Sequence, residues 1–227
     1  MAKKATKPAP QQQNTLEETV NRWEQFFENN KKIIFTVMAA IIVVIAGGMI
    51  LNTSVFIPRQ TRASEALYPG ENYFLAGDYQ TALNGDGLEY EGFEAVAGQY
   101  GSTKAGKLAN LYAGLCYAQL DSAELAAKFI SKFKGSDHMV SPAALGALAG
   151  CYADMGNFEK AASTFEKAAE KADNALLSPY LYFQAALVYE TMGKSGKALK
   201  LYRMIKLKYP NSQEGIEAEK YIARIAE

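Results

Sequence analysis

The chain has a single histidine, His138, in the polar stretch "KGSDHMVSP". Imidazole suits acid–base work near neutral pH and zinc ligation. Both tasks need partners, and neither a nucleophile nor a second ligand stands at a useful spacing, so His138 reads as an exposed loop residue. The two cysteines, Cys116 and Cys151, sit on apolar helical stretches. Equivalent points on stacked helices lie about 8–10 Å apart, beyond the ~7 Å Cα limit for a disulfide, so free buried thiols are expected. "NGDGLEYE" places Asn84, Asp86, Glu89 and Glu91 beside two glycines. It lacks the ligand ladder of a calcium loop and reads as a turn. No phosphate-cradling glycine loop occurs. No catalytic set can be assembled, and no metal, cofactor or small-molecule substrate is expected. The chain reads as a binding protein, not an enzyme.

The elements that must carry such a function begin with "KKIIFTVMAAIIVVIAGGMIL". Ile33 to Leu51 is uncharged, with Thr36 the lone hydroxyl, and as a helix it reaches roughly 28 Å, close to a bilayer's hydrocarbon core. It is longer than a signal peptide's apolar region, is preceded by about thirty residues, and is followed by no small-residue cleavage site. An uncleaved signal anchor is expected. Lys31 and Lys32 abut its start, with Lys3, Lys4, Lys7 and Arg22 further back, against Arg59 and Arg62 beyond it. The positive-inside tendency places the N-terminus in the cytoplasm and the remainder across the membrane. Ala39, Ala40, Ala46 and Gly47 share one helical face that would admit a partner helix closely; composition alone would also produce it.

The expected order is a disordered cytoplasmic tail at 1–13, an amphipathic juxtamembrane helix at 14–32, the membrane helix at 33–51, a linker at 52–62 and a helical domain at 63–227. Thr15 and Glu18 have capping-box spacing, and Trp23 and Phe26 suit a headgroup region. The same segment would equally serve as an extension of the membrane helix. Of 24 basic and 24 acidic residues, the first 57 positions hold six and four, leaving 18 and 20 beyond. That balance argues against nucleic acid as a partner.

The domain repeats itself. "LYAGLCYAQLDSAELAAKFI", "ALAGCYADMGNFEKAASTFEKA" and "QAALVYETMGKSGKALKLYRMI" align, with a fainter copy in "ENYFLAGDYQTALNG". Tyr73, Tyr117, Tyr152 and Tyr189 form one column. Gly77, Asp121, Gly156 and Gly193 follow four residues later, and Ala82, Ala126, Ala161 and Ala198 five beyond those. Phe165 and Tyr202 add an aromatic in the last two copies. The turn column suits a left-handed backbone, the alanines a close antiparallel crossing, and the tyrosines packing onto the second helix of their own pair. Ser141-Pro142 and Ser178-Pro179 read as N-cap and first helical residue. "QYGSTKAG" and "KYPNSQEG" supply further caps, the latter opening a closing helix. "LNGDGLEYEGFEAVAG" inserts extra residues into the first copy's second helix.

These columns resemble the tetratricopeptide repeat, a helix–turn–helix unit of about 34 residues that stacks into a superhelix. The fold expected is therefore all-α: a single N-terminal transmembrane helix followed by a tetratricopeptide α-solenoid of about four repeats and a closing helix. The resemblance implies a protein-binding groove at Leu108, Leu111, Leu115 and Gln119, at Ala143, Gly146, Gly150 and Asp154, and at Tyr180, Phe183, Leu187 and Thr191. The Lys and Asn with which some members grip terminal carboxylates are absent there. The closing helix or an adjoining domain could instead cover these side chains. As a whole arrangement the chain resembles the YfgM-like ancillary subunits of the bacterial Sec translocon, Bacteroidota versions above all. "ALNGDG" and "YPNSQEGIEAEKYIARIAE" carry that likeness. It implies a single-pass protein of the bacterial inner membrane with a periplasmic domain, binding Sec translocon subunits, periplasmic chaperones or exported clients. The alternative is a scaffold of envelope biogenesis, in outer-membrane protein assembly or cell division.

Overall fold

The computed structural model describes residues 13–226, with side chains from 21 to 225. The expected tail at 1–13 lies almost wholly outside them. Every regular element among the described residues is helical, and the chain divides into two compact units, 1–57 and 58–227.

The first unit is α1, Gln13–Leu51, followed by a π-helical stretch, Asn52–Phe56. No break in α1 separates 14–32 from 33–51, and the Thr15–Glu18 pair lies outside the residues whose side chains are described. Its apolar stretch is long enough to cross a membrane and none of it is buried by protein; Val44 is 74% exposed. The one hydroxyl in that stretch is dealt with locally, because Thr36 Oγ1 donates to Lys32 O at 2.8 Å. In hydrocarbon an unpaired hydroxyl would be costly.

In the second unit, α2 (Ile57–Leu75) pairs with an interrupted second helix, α3 (Tyr79–Asn84) and α4 (Phe93–Tyr100). Residues 52–62, expected as a linker, are thus helical throughout. Three regular pairs follow: α5 (Lys104–Gln119) with α6 (Ala123–Ile130), α7 (Val140–Asp154) with α8 (Phe158–Ala172), and α9 (Ser178–Thr191) with α10 (Ser195–Lys208). The closing helix is α11, Gln213–Ala226.

The turn column explains the pairing. Gly77, Asp121, Gly156 and Gly193 have φ of 79°, 55°, 72° and 69°. This left-handed residue lets the amide one position on bond back to the tyrosine carbonyl: Asp78, Ser122, Asn157 and Lys194 donate to Tyr73, Tyr117, Tyr152 and Tyr189 at 2.8–3.0 Å. It is the six-to-one bond of a Schellman motif, and it ends one helix while aiming the next back along it. The four column alanines are fully buried at 0% exposure, so the two helices of each pair cross without a side chain between them. The tyrosine rings meet their own second helix: Tyr117 stacks on Phe129 at 5.4 Å, and Lys160 lies 4.0 Å from the Tyr152 ring. Two of the hydroxyls, those of Tyr117 and Tyr189, reach back to the preceding pair, a tie the spacing did not suggest. Tyr117 donates to Glu94 of α4, and Tyr189 donates to Glu166 of α8 at 2.5 Å. Burial, reinforced by those carboxylates, pushes both phenols up to about 12.

The helix starts divide into two kinds. Thr103 and Ser212 cap α5 and α11 as expected, accepting from Gly106 N at 2.9 Å and Gly215 N at 3.0 Å. Both glycines are required by space, since a Cβ there would collide with the carbonyl of Tyr100 at the end of α4 or of Tyr209 just past α10. Ser141 and Ser178 are not N-caps, which corrects the reading of the Ser-Pro pairs. α7 begins before Ser141, and α9 begins at Ser178 with Pro179 behind it. The capping groups stand four residues upstream of each serine. Asp137 Oδ1 accepts from the amides of Met139 (2.9 Å) and Val140 (2.5 Å). Asn174 Oδ1 accepts from Leu176 (3.0 Å) and Leu177 (2.8 Å). The serines are buried ties instead: Ser141 donates to Asp137 Oδ2 at 2.7 Å and Ser178 to Ala169 O at 2.8 Å.

Candidate functional site

Stacking α7 against α5 leaves an open groove of about 640 Å3 between the two first helices. One wall is Leu108, Leu111, Tyr112 and Leu115 of α5. The other is Val140, Ala143, Ala144 and Ala147 of α7, with Met139 and Leu177 at the end. Leucine opposite alanine keeps the helices apart at the surface while they touch below. No charged side chain lines it. The single ionisable one, Tyr112, is raised above its ordinary pKa by burial and by Glu71.

Leu108, Leu111 and Leu115 therefore meet in this groove, as does Ala143. Gln119 and Asp154 are exposed at the ends of α5 and α7, outside its lining. Gly150 is half-buried and a Cβ there would meet open space. Leu187 is half-buried and packs against the C-terminal core, while Tyr180 is 47% exposed. Gly146 and Phe183 are buried between repeats, which corrects their placement on the open surface. A Cβ on Gly146 would meet Leu181 of α9. Phe183, 6% exposed, holds edge-to-face contacts with Tyr202 at 5.3 Å and Tyr221 of α11 at 4.9 Å.

The cause is helical register. Leu111, Gly146 and Phe183 occupy one column, and in the latter two that column faces the next first helix. The open column is one residue later, at Tyr112, Ala147 and Gln184, all half-buried. Spacings of four, three and four, starting from Leu108, Ala143 and Tyr180, trace that face. The alternation of fully and partly apolar positions within α5 was the available signal; α7 and α9 are apolar nearly all round and carried none.

The remaining candidates are committed elsewhere. Cys116 and Cys151 are free and buried; burial pushes Cys116 up to about 12 and raises Cys151 as well. Asp86 is engaged by its own loop, accepting from Leu88 N at 2.8 Å, Tyr90 N at 3.1 Å and Tyr73 Oη at 3.2 Å. Exposed His138 ties its loop to the last turn of α8, its Nδ1 lying 3.1 Å from Lys171 O. Ala39, Ala40, Ala46 and Gly47 are exposed on α1, and a Cβ at Gly47 would touch nothing within 4 Å.

Repeated helical hairpins with a left-handed turn column, buried alanines and an open first-helix groove define an α-solenoid of the tetratricopeptide type. It follows one helix long and apolar enough to cross a membrane. A family model described as the tetratricopeptide repeat matches residues 180–212, which is most of α9, all of α10 and the cap of α11. That segment is a tetratricopeptide repeat, and repeats of this kind serve protein–protein interaction. No curated protein matches the chain.

Proposed function

We propose that the protein is a membrane-anchored adaptor that works at the Sec export channel on the periplasmic side of a bacterial inner membrane. It binds channel subunits, periplasmic chaperones or exported clients, and helps pass translocated chains to chaperones. The observation that carries this reading is the uncharged groove between α5 and α7, which repeat stacking leaves open and which fits apolar polypeptide better than a charged tail. Lys31 and Lys32 before the apolar stretch support the orientation. The overall likeness to YfgM-like subunits supports the channel as its station. The small face at Ala39, Ala40, Ala46 and Gly47 is suited to docking on a channel helix. The test is quantitative co-purification from gently solubilised membranes. Channel subunits should be enriched with the intact chain, and Gly47→Leu with Ala40→Leu should reduce that recovery. Enrichment of outer-membrane assembly or division proteins without channel subunits would replace this reading with an envelope scaffold.

A further inference from the structure

We infer that a second site, where α6, α7 and α8 meet, binds a small organic carboxylate with a short apolar tail. It does not depend on the adaptor reading. Its origin is a helix that stops early. α8 and α10 run for 15 and 14 residues, but α6 ends at Ile130 after 8, about two turns short. The loop 131–139 takes the place of those turns and leaves a cavity of about 280 Å3. Ligand pockets run from about 300 to 1,000 Å3, so the occupant is small. The loop does not fall in, because it is tied at three points. Lys171 Nζ donates to Gly135 O at 2.8 Å, Asn174 Nδ2 donates to His138 O at 3.1 Å, and Asp137 accepts from the first amides of α7. The buried side of the cavity is apolar, with Ile130, Ala144 and Leu148. Its exposed side carries Ser131 and Lys134, and Lys171 is half-buried in its wall. None of the lining residues is acidic. Both lining hydroxyls are committed, Ser131 to Lys128 O at 2.9 Å and Ser141 to Asp137 Oδ2 at 2.7 Å. The side-chain donors left over are therefore two ammonium groups, of which one N–H is used, on Gly135 O. Neither lysine has a carboxylate partner among the described residues. A half-buried cation beside an apolar wall is best satisfied by an anion that brings its own apolar chain. Asp137, the acid on the same loop, already accepts from Val140 and Ser141. Two lysines against that one acid leave a single positive charge, which matches a carboxylate better than a phosphate dianion.

The test uses the full chain in lipid nanodiscs and a hexanoic acid bearing a photoreactive diazirine, with labelling of empty nanodiscs subtracted. Mass spectrometry should place the label within 130–148. Unlabelled hexanoate should compete, and hexanamide, similar in shape but uncharged, should not. Lys171→Gln should lower labelling about tenfold, the worth of one hydrogen bond between charged groups. Lys134→Gln, at an exposed side chain, should lower it about two- to fivefold. The hexanamide comparison needs no variant, so it decides the matter even where Lys171→Gln loosens the loop. No label above that of empty nanodiscs, label concentrated outside 130–148, or equal competition by hexanamide would overturn the carboxylate site. Labelling untouched by both lysine variants would overturn it too. Each of these results leaves the adaptor reading standing.

Discussion

At the scale of single residues, the backbone at the turns makes the sharpest demands. Gly156 at φ 72° sits where an L side chain costs about 1–2 kcal/mol. Gly156→Ala should lower unfolding free energy by roughly that amount in urea titrations followed by circular dichroism. Asp121 already bears that strain at φ 55°, so Asp121→Gly should leave stability unchanged or raise it. Asp137 behaves differently. The Ser141 hydroxyl and the amides of Met139, Ser141 and Val140 hold its carboxyl well below the usual range. Its folded pKa is depressed, so its contribution is complete above the unfolded value of about 4 and is lost as pH falls toward the folded value. Asp137→Asn should flatten the stability profile between about pH 4 and pH 2. The thiols should be inert: with Cys116 raised to about 12 and Cys151 raised by the same burial, neither should react with N-ethylmaleimide at pH 8 until the chain is denatured.

At the scale of elements, what was legible in the sequence had a local cause. The turn column could be read because a left-handed residue, a tyrosine four before it and an alanine five after it are one motif closed within ten residues. Thr103 and Ser212 were legible as caps for the same reason. The Ser-Pro starts misled because proline's position is permissive over the first turn, and the true caps, Asp137 and Asn174, stand four residues upstream in "DHMVSP" and "NALLSP". That recurrence at 37-residue spacing was visible but needs loop geometry to interpret. Asn174→Ala should cost about 1 kcal/mol through the start of α9, measured by denaturant unfolding. The groove was legible on α5 and off by one column on α9 because α9 is apolar nearly all round, with Gln184 a single polar residue on its open column, and packing against α11 decides which face stays open. Ala161, at 0% exposure, marks the crossing of α7 and α8. Ala161→Leu should force them apart at a cost of about 1–3 kcal/mol.

At the scale of the whole molecule, one helix is long and apolar enough to cross a membrane and a helical solenoid carries the groove; the proposed adaptor divides anchoring and binding between them. The central claim is that proteins in transit or at the channel are gripped on the α5–α7 groove. The direct measurement is photocrosslinking in living cells from Leu115, with Lys167 on the exposed face of α8 as the control position. Channel subunits or exported clients should be captured from Leu115 and not from Lys167, and Ala143→Glu should remove them. The same proteins captured equally from both positions, or none of them from Leu115, would contradict it.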